Sequence, residues 1–88
     1  MYKTIYSPKA REDLRALDFH LREKITRKIC FYSRQEDVLK FARTLTGELN
    51  GLFRFRIGDY RAIFSMEKND DDKIIYVVRV GHRGNVYD

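Results

Sequence analysis

The sequence predicts an α+β domain, a two-layer sandwich in which an N-terminal strand and an αα hairpin pack on a small, mainly antiparallel β-sheet. Three observations predict it. Apolar residues recur at helical spacing from Ala10, Leu14, Leu17 and Leu21 to Ile25, Ile29 and Tyr32. Beyond residue 52 they alternate with polar ones instead, and Gly58-Asp59 separates two β-rich runs with a hairpin signal. No Pro/Gly/Ser-rich linker or shift of composition divides the 88 residues, so one domain over 1–88 is expected.

Taken in order, Tyr2 to Tyr6 is short, aromatic and β-branched and reads as a strand. Ser7-Pro8 starts a helix, with Ser7 as N-cap and Pro8 at the first helical position, where its missing N–H costs nothing. Asp18-Phe19-His20 breaks the helical pattern into two helices. Arg11, Arg15, Arg22, Lys24, Arg27 and Lys28 form a basic outer face, for which solvation is the ordinary reading and nucleic-acid contact the alternative. His20 falls in the helical turn and is expected at the surface. Asp37 to Arg43 is read as a short helix and Gly47 to Gly51 as a loop. Leu52 to Ile57 and Tyr60 to Met66 form the two arms of a hairpin, Lys68 to Asp72 the next turn, and Lys73 to Val80 an inner strand apolar on both faces. Gly81 is expected to end that strand, leaving Arg83 to Tyr87 as a tail.

Composition limits the function classes. An apolar share of 43%, with six Phe and six Tyr, suffices for a compact core and excludes disorder over most of the length. Cys30 is the single cysteine, so no internal disulfide forms and a cysteine-based zinc site has no ligand set. Neither a metal nor a cofactor is expected. Cys30 itself reads as a buried or half-buried helix residue. No apolar run is long enough for a signal peptide or a membrane span, which makes the cytoplasm the expected location, with no membrane partner. The net charge of +5 favours polyanionic partners. Its excess lies in residues 1–46, which carry 11 Lys and Arg against 6 Asp and Glu. Residues 47–88 carry 7 of each, but Glu67, Asp70, Asp71 and Asp72 crowd one turn and leave the arginines there without evident local partners.

Those arginines carry the functional argument. With a two-residue turn at Gly58-Asp59, Ile57 pairs with Tyr60, Arg56 with Arg61, Phe55 with Ala62, Arg54 with Ile63 and Phe53 with Phe64. Alternation then places Phe53, Phe55, Ile57, Tyr60, Ala62 and Phe64 on the core face, and Arg54, Arg56 and Arg61 on the other. Arg56 faces Arg61 directly, an arrangement that destabilises a strand pair by about a fraction of a kcal/mol. Arg79 joins the open face if Ile74, Tyr76, Val78 and Val80 point inward, and Arg83 lies just beyond Gly81. Arg61 and Arg83 are expected to point at solvent. Clustered guanidinium forks suit phosphate oxygens; pairing with carboxylates elsewhere in the fold is the competing reading. Tyr87 is either a base-stacking aromatic or a packing anchor.

The run from Gly51 to Phe64, GLFRFRIGDYRAIF, followed by Val78-Arg79-Val80-Gly81-His82-Arg83 and the closing Val86-Tyr87, resembles the RelE/ParE superfamily of type II toxin–antitoxin toxins. The resemblance covers essentially the whole chain. RelE-like members are ribosome-dependent mRNA interferases that cut the codon in the ribosomal A site, whereas ParE-like members poison DNA gyrase and generally lack the catalytic set. Carried over singly, the RelE-like site residues match Arg54, Arg56, Arg61, Arg83 and Tyr87, which favours the RelE branch. The resemblance therefore implies a metal-independent endoribonuclease, acting by attack of a ribose 2′-OH on the adjacent phosphate, with the mRNA-bearing ribosome and a cognate antitoxin as partners.

One departure concerns proton transfer. Arg54 and Arg56 stand where the family pattern has lysines, and an arginine, which keeps its proton throughout the physiological range, is no general base. His82 has a suitable unperturbed pKa, with a structural role as the competing reading. A gyrase inhibitor and a basic RNA-binding module that does not cleave remain the alternatives to a nuclease.

Overall fold

A computed structural model describes residues 1–86. Its elements are β1 (Lys3–Tyr6), α1 (Pro8–Arg15), α2 (Phe19–Ser33), β2 (Ala42–Thr44), β3 (Phe53–Ile57), β4 (Tyr60–Asn69) and β5 (Asp72–His82), with short 3₁₀ turns at Val38–Phe41 and Gly47–Leu49. The sheet order is β1-β5-β4-β3-β2, with β1 parallel to β5 and every other pair antiparallel. Both helices lie on one face, giving the expected two-layer α+β sandwich. None of the helices among the described residues is long and apolar enough to cross a membrane.

The helices start where local chemistry dictates. Ser7 Oγ accepts from the Ala10 N–H at 3.0 Å and Pro8 occupies the first turn, while Asp18 Oδ1 accepts from the Leu21 N–H at 3.0 Å to begin α2. Ala10 and Leu14 from α1, with Ile25 and Ile29 from α2, meet Phe55, Ala62, Phe64, Ile75, Val77 and Val80 of the sheet in one core. Phe55 stacks on Phe64 with ring centroids 4.1 Å apart, and both are fully buried.

Four expectations about the fold are corrected, the last at Gly81 below. Asp37 to Arg43 does not form an α-helix: after the turn at Val38–Phe41 the chain enters β2, a fifth strand at the sheet edge. On β5 it is Ile75, Val77 and Val80 that are buried in the core, and Ile74, Tyr76 and Val78 that are only partly buried. The cause is a bulge: Ile63 pairs with Arg79 and Phe64 with Val77, so Val78 is the extra residue and the inward parity changes there. Thirdly, Cys30 is exposed.

Helix α1 completes the edge of β5 where β1 ends. Val77 O accepts from the Ser7 N–H at 2.9 Å and Val78 O from the Ser7 hydroxyl at 2.9 Å. Asp13 Oδ2 accepts from the Val80 N–H at 2.9 Å. Backbone groups of β5 left without a strand partner where β1 ends thus find partners on Ser7 and on α1.

Gly81 does not end β5, which runs on to His82. Its lack of a side chain serves the segment that follows. Gly84, at φ +87°, lets the chain reverse, Arg83 bridges to Val86, and Val86 seats over Gly81 so closely that a Cβ there would lie 2.6 Å from Val86 Cγ1. The Arg83 N–H also donates to Asp59 O at 2.8 Å, tying the tail to the β3–β4 turn.

Burial pushes the Tyr6 phenol from 10.0 up to about 12, with negative charge on Cys30 acting in the same direction. The folded chain therefore holds this proton more tightly than the unfolded chain, so the associated stability is intact below pH 10 and is lost as the pH rises toward 12. Alkaline unfolding followed by circular dichroism should show a shallower loss across that interval in Tyr6→Phe than in the parent chain. Phe55→Ala should destabilise the domain by about 3–5 kcal/mol in urea titration, and a near-normal value would reverse the assignment of the two sheet faces. Gly81→Ala should loosen the tail and speed tryptic cleavage after Arg83, and adding Val86→Ala should restore protection by making room for the methyl group.

Candidate nucleic-acid interface

The hairpin register is the one the sequence implies. Gly58 takes φ +60°, and the pairs Ile57–Tyr60, Arg56–Arg61, Phe55–Ala62, Arg54–Ile63 and Phe53–Phe64 all form. Arg54, Arg56 and Arg61 therefore share the face turned away from the helices. Strand β2 adds a cation that sequence reasoning missed, because Arg43 pairs directly with Arg54. Two arginine pairs, Arg43–Arg54 and Arg56–Arg61, thus stand across strand boundaries on one face. Ile63, fully buried, gives that face an apolar floor between Arg54 and Arg79.

The arginines differ in environment. Arg61 does not point at solvent: it is 4% exposed, and its Nη1 donates to Gly58 O at 2.9 Å and to Tyr60 O at 3.0 Å. The turn that creates the pairing also holds this guanidinium, through carbonyl dipoles that help to compensate a buried charge. Arg56 is exposed, and so is Arg83, as expected. Arg83 Nε stands 3.9 Å from Asp59 Oδ1, a solvated pair that orients the side chain more than it stabilises the fold. Arg54 is partly buried between its two strand neighbours. Arg79 reaches α1, where its Nε donates to Asp13 Oδ2 at 2.8 Å and its Nη2 to Asp13 Oδ1 at 3.4 Å. That bidentate pair secures the same carboxylate that accepts from Val80 N–H.

His82 stands opposite Tyr60 on β4, with the rings edge to face at 5.4 Å, and so starts from the helix-side face. Its Nδ1 lies 2.9 Å from Arg83 O. A carbonyl only accepts, so Nδ1 is the donor where this contact is a hydrogen bond. Tyr87 lies outside the described residues. No group of three or more His, Cys, Asp or Glu among the described residues is arranged to hold a metal ion.

A groove of about 290 Å³ opens beside the array, lined by Lys40, Phe41, Ala42, Arg43, Arg54 and Arg56. Among the described residues no ion pair engages Lys40, Arg43 or Arg56. The surface is concave and cationic, with an aromatic ring at one side, which suits a phosphodiester chain carrying exposed bases.

Comparison with known proteins agrees with this architecture. No curated protein sequence matches the chain. Among solved structures it is similar to the RelBE2 toxin–antitoxin complex from Mycobacterium tuberculosis, with 28% identity, a TM-score of 0.80, and coverage of 93% of this chain and 98% of that one. It is also similar to the archaeal RelE–RelB complex from Pyrococcus horikoshii, at 26% identity and a TM-score of 0.66, covering 97% of this chain and 98% of that one. The YoeB/ParE toxin from Agrobacterium tumefaciens shares the fold at 17% identity and a TM-score of 0.71, covering 92% of this chain and 98% of that one. The family model of the ParE toxin of type II toxin–antitoxin systems, parDE, matches residues 4–87. With that match spanning nearly its full length, the chain belongs to the ParE toxin family of type II toxin–antitoxin systems, within the RelE/ParE superfamily.

Proposed function

We propose that this toxin is a ribosome-dependent endoribonuclease of the RelE kind, cutting mRNA in the A site. The observation that carries the reading is the Arg56–Arg61 pair on the open sheet face, with Arg83 tied by its backbone to the turn that sets the pair. In the reaction the ribose 2′-oxygen bonds to the adjacent phosphorus as the bond to the 5′-oxygen breaks. The 2′-hydroxyl loses its proton, the leaving oxygen gains one, and the products are a 2′,3′-cyclic phosphate and a 5′-OH end.

Charge on the phosphorane-like transition state is the main quantity to be stabilised. Arg56 holds the non-bridging oxygens, Arg54 and the nearly buried Arg61 support it electrostatically, Arg83 stabilises the leaving oxygen, and Tyr87 stacks on or orients a base. These guanidinium groups supply the positive charge without a metal ion. None of them is a base at neutral pH, so water or a ribosomal group takes the 2′ proton. His82 starts from the opposite sheet face and ranks below them, and Arg79, already committed to Asp13, serves the fold first.

The RelBE2 and RelE–RelB structures are complexes of toxin with antitoxin, and we extend that pairing to this chain: a cognate antitoxin covers the basic surface in a cytoplasmic complex. A second reading, inhibition of DNA gyrase, is favoured by the family model, whose description is that of a ParE toxin. Primer extension on mRNA in a translating extract, run beside a gyrase supercoiling assay, separates the two. A-site cuts support the nuclease; intact mRNA with linearised plasmid supports the gyrase inhibitor.

Arg56→Ala and Arg83→Ala should each lower the rate of A-site cleavage by about 10²–10³-fold with melting temperature nearly unchanged, because both side chains are exposed. Arg61→Ala would also lower stability, since it empties a buried position and removes the Nη1 donor from the Gly58 and Tyr60 carbonyls. Arg61→Lys is therefore the sharper variant: it keeps the charge and loses the fork. Full activity in Arg83→Ala would remove that residue from the site.

A further inference from the structure

The groove at the β2 edge has a chemistry that the cleavage reaction leaves unused. The Arg43–Arg54 pair lies one β3 repeat from the Arg56–Arg61 pair, a step of roughly 6.6 Å along the strand. That step is comparable with the phosphate repeat of an extended single strand. Phe41, immediately before β2, is stacked on Tyr32 with ring centroids 5.2 Å apart and planes 24° apart, and Tyr32 packs on buried Phe55 at 4.9 Å. The Phe41 ring is thus anchored through Tyr32 to the core, yet it is 40% exposed and lines the same groove as Lys40, Arg43 and Arg56. A fixed aromatic surface beside cations is the arrangement that binds single-stranded nucleic acid by stacking and phosphate contact.

We propose that Lys40, Phe41 and Arg43 form a second nucleotide subsite, which holds the ribonucleotide next to the one that is cut. Its base stacks on Phe41 and its phosphate is held by Arg43 and Lys40. The subsite rests on the nuclease reading and extends it. Because β2 is the edge of the sheet, the RNA strand leaves the groove without meeting another strand of the fold. An acidic protein segment is the other occupant that a basic groove admits, and the test separates it.

The probe is a set of short single-stranded RNAs, 2′-O-methylated so that they are not cut, each carrying 2-aminopurine at one position. With the full-length chain, one position should lose fluorescence by stacking. Phe41→Leu, which keeps an apolar contact to Tyr32 but has no ring, should abolish that quenching and weaken binding roughly tenfold. Phe41→Tyr should retain both. Arg43→Ala and Lys40→Ala should each reduce the slope of log affinity against log salt by about 0.7, the value for one phosphate contact on a single strand. Equal melting temperatures exclude misfolding as the cause. If Phe41→Leu quenches and binds like the parent chain, or if an acidic peptide occupies the groove and RNA does not, the subsite is overturned. Cleavage in the translating extract, read in parallel, keeps the two levels apart. A parent chain that cuts mRNA while these variants bind RNA unchanged removes the subsite alone; one that neither cuts mRNA nor binds the oligonucleotides removes the nuclease reading as well.

Discussion

The register of the β3–β4 hairpin is the constraint from which the rest follows. Side chains alternate with a period of two, so sliding the pairing by one residue would turn Phe53, Phe55 and Ile57 to the open face and bring Arg54 and Arg56 into the core. Burying each of the large apolar side chains stabilises by about 1.5–3 kcal/mol, whereas an arginine pair across a strand boundary costs about a fraction of one. The core therefore sets the register, and the arginines accept the opposition it imposes. The hydrophobic face thereby preorganises a cationic face that electrostatics alone would disperse.

The same division of labour governs the two ends of β5. At the bulge, Ser7 and Asp13 take over the hydrogen bonds that β1 is too short to make, and Asp13 also takes Arg79. At the far end, Gly81 faces Arg61 across the strand pair and offers no side chain, so Val86 folds down beside that arginine. A methyl group at Gly81 would sit on the arginine face, where it would displace the tail and leave the core contacts of Val80 in place. Arg83 is held by Asp59 on one side and the Val86 turn on the other, so its position depends on the hairpin turn and the tail together.

Much of this was legible in the sequence because it rests on local rules. The N-cap at Ser7, the break at Asp18-Phe19-His20, the Gly-first turn and the hairpin partners follow from spacing and turn chemistry alone; that Asp18 caps the second helix is seen only in the structure. What was not legible depends on contacts between distant parts of the chain. Ala42-Arg43-Thr44 is too short to show a period of two, and only its pairing with Phe53 to Phe55 makes it a strand. That hid Arg43 from the site and left Lys40 and Phe41 without a role. The bulge at Val78 lies within an unbroken apolar run, where either parity looks equally apolar, so the inward set on β5 was misassigned. Arg61 is buried and donates to carbonyls of its own turn, a donor–acceptor match that residue types do not reveal.

The character of the arginine face bears on how such a toxin is controlled. Guanidinium groups attract phosphate and stabilise negative charge over the whole physiological pH range, because none of them gives up its proton there. On the proposed reaction they supply one half of a nuclease. The other half, an acceptor for the 2′-hydroxyl proton, is not supplied by the arginines: the groove is lined by Lys40 and arginines, Arg61 and Arg83 complete the array, His82 starts from the far side, and the carboxylate beside the array, Asp59, already stands 3.9 Å from Arg83. On the proposed reaction, a surface of this kind binds RNA on its own but acts on it only where another component supplies the missing acceptor and bends the strand for in-line attack. If the proposed reaction holds, dependence on the ribosome would follow from the residue types at these positions, with RNA bound but uncut away from it.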